Sequence, residues 1–232
     1  MSAFPLVLLS GLLCDRTVWE PQIAAFGSER AIVVPDLWGY DSFEVMAEAA
    51  LAAAPARFAL AGHSMGGRVA LEIMRLAPER VERLALLSTG VHPVRPEEVG
   101  GRLELVALAE REGMTALVRS WLPPMLHPLH RADAGLVASI EAMWCRGTPE
   151  IFAGQIHAAL NRRDLRAVLP TIACPTLVLC GAEDKWSTPA QHERIAAEIP
   201  GAQLVIVPEC GHMATLEAPE KVNAALRLWL AR

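Results

Sequence analysis

The apolar run Phe58-Ala59-Leu60-Ala61 passes without a break into Gly62-His63-Ser64-Met65-Gly66-Gly67, and a helical pattern follows at once. A strand that ends in Gly-x-Ser-x-Gly and turns straight into a helix puts its serine at the tip of a tight, strained bend. Side chains two residues either side of that serine would collide, so Gly62 and Gly66 remove them and leave Ser64 exposed above a sheet.

Short apolar runs alternate with longer helical patterns along the rest of the chain, which argues for a doubly wound, mostly parallel sheet of about six strands between two helical layers. The runs predict strands over Leu6–Ser10, Ala31–Val34, Phe58–His63, Leu84–Ser88, Thr176–Cys180 and Gln203–Val207. Helices are predicted over Val18–Phe26, Phe43–Ala54, Met65–Leu76, Ala190–Glu198 and Pro219–Leu230. In the helix after Ser64, Val69, Ile73 and Leu76 share one face and Arg68, Glu72 and Arg75 the other, as a 3.6-residue period requires. From about Val91 to Pro170 the alternation stops, with helix-like stretches and no convincing strand. This predicts an α/β core from residues 1–90 and 171–232, with 91–170 inserted as a helical cap.

Hydrophobic residues make up 53% of the 232 positions, yet no apolar stretch reaches the roughly 18 residues that a membrane-spanning helix needs. The apolar segment Ala3 to Leu13 has no basic residue before it and leads into Asp15 and Arg16, so it reads as a first strand rather than a signal peptide. A formal charge of −5 leaves no electrostatic footprint for nucleic acid. Arg162, Arg163 and Arg166 read as a solvated helix face. The five cysteines, Cys14, Cys145, Cys174, Cys180 and Cys210, form no CxxC pair, and the expectation is free thiols in a reducing cytoplasm.

A serine hydroxyl is a weak nucleophile unless a base takes its proton, so a histidine and an acid are expected further along. His63 is too close in sequence to reach across a site and reads as structural. His212 is the best base: it follows the Gln203–Val207 run in Pro208-Glu209-Cys210-Gly211-His212, at the strand end where doubly wound sheets build their sites. For the acid, Glu183 and Asp184 compete in Gly181-Ala182-Glu183-Asp184, with Asp184 preferred. It would hold the His212 tautomer and stabilise the imidazolium. Two backbone N–H groups must face the developing oxyanion; Met65 supplies one by its position, and Leu12, in Ser10-Gly11-Leu12-Leu13, is the candidate for the other.

These motifs, in this order and at these strand ends, resemble the α/β-hydrolase superfamily, in particular its small, capped bacterial esterase-like members. The resemblance runs from Leu6 to Leu230 and is weakest in the cap. It implies a three-layer α/β-hydrolase fold and a cofactor-independent serine esterase acting on small to medium apolar carboxylic esters. Many relatives carry His-Gly where this chain has Ser10-Gly11, so the side chain that braces the oxyanion loop is expected to be missing. The resemblance also implies that the chain begins at the third strand of the larger fold, without the antiparallel hairpin of bigger relatives. A carbon–carbon hydrolase, a thioesterase, a lactonase or a perhydrolase would use the same parts. A low-turnover ligand-binding receptor of the same fold is the reading from a different class.

Trp121, Met125, Met143 and Trp144 either line an apolar substrate pocket or form the cap's own core. Trp38, in a loop expected near the site, either contacts substrate or packs on the cap. Arg68 could meet a substrate carboxylate, although a surface salt bridge is the plainer reading. His92, His157 and His192 read as surface or cap residues. His127 and His130 lack a third ligand at useful spacing, so no metal is expected.

Overall fold

A computed structural model of the chain describes residues 4–232; Ala3, the first residue of the apolar N-terminal segment, lies outside them. Six strands run in chain order as β1 (Leu6–Leu9), β2 (Ile32–Val33), β3 (Phe58–His63), β4 (Val81–Leu87), β5 (Thr176–Gly181) and β6 (Gln203–Val207). They form one sheet in the order β2-β1-β3-β4-β5-β6, and every pairing is parallel. The α-helices are α1 (Glu20–Phe26), α2 (Phe43–Ala53), α3 (Met65–Leu76), α4 (Pro96–Glu112), α5 (Met114–Trp121), α6 (Ala134–Trp144), α7 (Pro149–Leu160), α8 (Pro189–Glu198), α9 (Ala214–Glu217) and α10 (Pro219–Leu230).

Alternate residues of each strand face opposite layers, as the two-residue period demands. Leu6, Leu8, Ala59 and Ala61 join Trp19, Phe26, Leu226 and Trp229 in one buried cluster under α1 and α10. Val7, Leu9, Phe58 and Leu60 join Met46, Val69, Ile73 and Ile195 in the other, under α2, α3 and α8. Both faces of the sheet are therefore dry, and this explains why its strands read as continuous apolar runs rather than alternating ones.

The segment between β4 and β5 holds α4 to α7 and no strand. Leu117, Trp121, Ile140, Met143, Trp144 and Phe152 belong to the same buried cluster as Leu8, Leu87 and Leu179. These helices share the core of the sheet rather than enclosing one of their own.

The predicted two-faced pattern of α3 fails. Arg68 and Glu72 are buried at 8% and 2% exposure, while Leu76 is 37% exposed. Glu72 is covered by Arg75, whose Nε donates to it at 2.8 Å, and by Arg163 at 3.3 Å. From Met65 to Met74 the helix is covered on all sides and only its last turn meets solvent, so the polar residues of that stretch must find partners inside.

Candidate active site

Ser64 lies between the last residue of β3 and the first of α3, with φ 54° and ψ −114°. Such a backbone costs a few kcal/mol for a non-glycine residue and needs to be held in place. Its N–H donates to the Leu87 carbonyl at 2.9 Å, and its carbonyl accepts from Gly67 N–H at 3.0 Å and from Thr89 Oγ1 at 2.7 Å. A Cβ at Gly62 would run into the Gly66 carbonyl, and one at Gly66 into the Leu9 carbonyl. The two glycines are needed for close approach, as their spacing predicts.

Asp184 and His212 come from the loops after β5 and β6. His212 Nδ1 lies 2.9 Å from Asp184 Oδ2, and His212 Nε2 lies 2.9 Å from Ser64 Oγ. With Asp184 accepting from Nδ1–H, Nε2 is left as the acceptor for the serine hydroxyl. Asp184 Oδ1 takes two further hydrogen bonds, from the N–H groups of Trp186 and Ser187, each at 2.9 Å. Burial alone would raise the Asp184 carboxyl. The charge and hydrogen bond of His212, joined by those two amides, outweigh burial and hold it below the usual carboxylate range.

Glu183 turns the other way. Its Oε2 accepts from Cys210 N–H at 2.9 Å, so it anchors the loop that carries His212 rather than meeting the imidazole. The same loop is fixed by His212 N–H to the Met125 carbonyl at 2.7 Å, and by His63 Nε2 to the His212 carbonyl at 2.9 Å. His63 is 1% exposed and acts on the backbone, in keeping with a structural reading.

Leu12 and Met65 line one cavity together with Ser64 and His212. Among the described residues no acceptor occupies the N–H of either. Two amides without intramolecular partners beside a serine hydroxyl are free to donate to a bound oxygen.

The cavity measures about 410 Å³, and Trp121, Met125 and Trp144 form part of its wall. Trp38 and Met143, the other two pocket candidates, lie outside it. Trp38 turns its indole toward the loop after β1 and donates Nε1 to the Cys14 carbonyl at 3.3 Å. Met143 is fully buried in the cluster beneath α6.

A model of the alpha/beta hydrolase family matches residues 6–225. The chain belongs to the alpha/beta hydrolase family. It is 32% identical to the dihydrolipoyllysine-residue acetyltransferase component of the acetoin cleaving system of Pseudomonas putida, across 98% of this chain but 64% of that protein. A thermophilic esterase from Thermogutta terrifontis, solved with malate bound, is 31% identical with a TM-score of 0.91, covering 99% of this chain and 90% of that one. The enol-lactonase from Burkholderia xenovorans LB400 is 26% identical with a TM-score of 0.89, covering 100% and 93%. Both solved neighbours are named for hydrolytic activities, and this chain is an enzyme of the same family. Among the described residues no helix is long and apolar enough to cross a membrane.

Several residues that hold this alpha/beta hydrolase site together carry no motif. Gln155 of α7, fully buried, accepts from Leu13 N–H at 2.8 Å and supplies a brace to the loop after β1 that the Ser10-Gly11 departure had put in question. Ser10 adds to it by donating Oγ to the Asp15 carbonyl at 3.1 Å. Glu217 accepts from the N–H groups of His127 at 2.7 Å, Gly211 at 3.2 Å and Met213 at 3.0 Å, and from His130 Nδ1 at 2.9 Å. His192 is fully buried, contrary to a surface role; its Nδ1 donates to the Thr188 carbonyl and its Nε2 accepts from Thr89 N–H, each at 3.1 Å. Arg162 is likewise not on a solvated face: its side chain is 3% exposed and pairs with Glu98 at 2.7 Å. His157 is exposed, as expected.

Proposed function

We propose that this alpha/beta hydrolase cleaves small to medium carboxylic esters through Ser64, His212 and Asp184. The observation that carries the reading is the unbroken chain of 2.9 Å contacts from Asp184 through His212 to Ser64 Oγ at the floor of a cavity. Ser64 Oγ attacks the ester carbonyl as His212 Nε2 takes its proton, and Asp184 balances the imidazolium. The amides of Leu12 and Met65 donate to the oxyanion. Collapse expels the alcohol, which leaves with the proton from His212. Water, deprotonated by the same imidazole, then attacks the acyl-enzyme and releases the acid, restoring Ser64. No step asks for a cofactor or a metal.

In this reading the segment from α4 to α7 acts as a cap over the nucleophile, since its helices supply Trp121 and Trp144 to the wall and the connection between α5 and α6 supplies Met125. The likeness to a Thermogutta esterase at 31% identity supports an ester substrate. A lactone is the second reading, favoured by the likeness to the Burkholderia enol-lactonase; the steps are the same, with the leaving oxygen tethered to the acyl group. All five cysteines are free thiols, which fits a reducing cytoplasm.

Ser64→Ala tests the proposal against p-nitrophenyl butyrate. The variant should fold and lose turnover, and a fluorophosphonate should label Ser64 in the parent protein alone. Wild-type rates in the purified variant would overturn it.

A further inference from the structure

Arg68 was expected at the surface, yet it stands one helical turn past Ser64 on α3, 8% exposed, in the wall of the Ser64 cavity. One end of its guanidinium donates to the His92 carbonyl at 2.7 Å. The other, Nη1, is buried without a hydrogen-bond partner among the described residues. A buried donor left unmade is costly, and more so when the group is charged. Burial, together with the charges of Arg162 and Arg102, pulls the Arg68 guanidinium down to about 9.

The carboxylate whose charge bears most on this group is already committed elsewhere. Glu98 meets Arg162 at 2.7 Å, Arg95 at 2.9 Å, Arg102 at 3.4 Å and His92 at 3.5 Å. Partial burial works against its ionisation, but the hydrogen bonds from Arg95 and Arg162 and the charges of Arg162 and Arg102 win and hold it at about 2. Lys185 also lines the cavity, and the remaining acid in the wall, Glu97, faces Arg95 at 3.7 Å. Five cationic side chains thus border the cavity against two carboxylates, in a chain whose net charge is −5. A neutral ester would leave that excess uncompensated.

We propose, building on the ester-hydrolase reading of Ser64, that Arg68 is the carboxylate subsite of this cavity and that the substrates are esters bearing a free carboxylate, such as half-esters of short dicarboxylic acids. A guanidinium fork with an unpartnered N–H matches the charge and planarity of a carboxylate, which is what carboxylate recognition by arginine requires. Trp121, Met125 and Leu105 in the same wall would cover the carbon chain between the two carbonyl groups.

The test compares kcat/KM for monomethyl succinate, glutarate and adipate with that for methyl butyrate. A charge-assisted hydrogen bond predicts that the best half-ester is favoured by about tenfold to a hundredfold. Arg68→Leu should bring that ratio close to unity, and Arg68→Lys, which keeps the charge and loses the fork, should fall between. Calorimetry on Ser64→Ala protein reads binding without turnover: monomethyl glutarate should bind more tightly than methyl butyrate, and adding Arg68→Leu should erase the difference. Equal kcat/KM values for half-ester and neutral ester in the parent protein, or a ratio that survives Arg68→Leu, would overturn the subsite and leave the esterase reading standing. Carboxylate-selective binding without any ester turnover or Ser64 labelling would keep the subsite and remove the esterase reading. If Arg68→Leu does not fold, the parent selectivity and the Arg68→Lys ratio decide.

Discussion

Gln155 on α7 accepts the amide hydrogen of Leu13 at 2.8 Å, across 142 positions of chain. Its Nε2 reaches the Leu37 carbonyl at 3.4 Å, so one buried amide spans two loops at the top of the sheet. Leu13 sits at φ 57°, a left-handed conformation that a leucine adopts only when held there. The N–H of Leu12 precedes it by one residue. The helices between β4 and β5 therefore help set the position of the Leu12 N–H, the donor proposed for the oxyanion.

Replacing that glutamine with leucine (Gln155→Leu) leaves the Leu13 N–H buried and unmade, at a cost of roughly 1–3 kcal/mol. For a domain of this size each kcal/mol moves Tm by about 2–4 °C. Tm should drop by several degrees, and kcat for p-nitrophenyl butyrate should fall more than KM rises, because the proposed oxyanion donor would act mainly in the transition state. An unchanged kcat in folded variant would remove the loop-positioning role.

Asp184 and Glu183 are neighbours with different jobs, and substitution separates them. Asp184→Asn removes the acceptor that fixes the His212 tautomer, and kcat should fall by a factor on the order of 10⁴. Glu183→Gln keeps an amide oxygen for Cys210 N–H, so kcat should remain within about tenfold of the parent. Steady-state kinetics on both variants checks the pair; equal losses would mean that the two carboxylates share one role.

Glu217 gathers four donors on a side chain with no exposed surface. Glu217→Ala strands the N–H groups of His127, Gly211 and Met213 together, so the loss should be about 3–5 kcal/mol, in the range of other broken buried networks. Urea unfolding measures it. Glu217→Gln, which retains an acceptor oxygen, should recover part of the stability.

His63 is buried and neutral. Burial first, and then the nearby His212, pull it down to about 4 from an ordinary 6.5. Between those two values the unfolded chain holds a proton that the folded chain lacks, so stability rises with pH across the window. It is fully present above about 6.5 and lost progressively as pH falls toward 4, by roughly 3 kcal/mol. Buried His192, also lowered, acts in the same direction. Urea midpoints at pH 7.5, 6.0 and 5.0 should decline in the parent and decline less steeply in His63→Gln; parallel slopes would exclude His63 as a source.

The bounds of β3, β6, α3 and α10 agree with their sequence-based ranges, because glycine and proline punctuate strong apolar patterns there. Ser64, Asp184 and His212 stand out as candidates for a related reason: each lies at the end of a parallel strand, where the motif and the fold point to the same place. Arg68, Glu72 and Arg162 misled because periodicity within one helix says nothing about a second layer arriving from elsewhere in the chain. Gln155 and His192 left no signal at all. A single polar residue in an apolar helix looks alike whether it faces water or a buried amide 142 positions away.

Ser64, His212 and Asp184 stand on loops that the parallel strands fix, while much of the wall around them comes from a single continuous stretch between β4 and β5. Such an arrangement invites transplantation, exchanging that stretch for another to change what the enzyme accepts. Gln155 qualifies the invitation. A replacement segment that lacks an equivalent carboxamide would alter the chamber and, in the same stroke, unfasten the floor on which the reaction takes place.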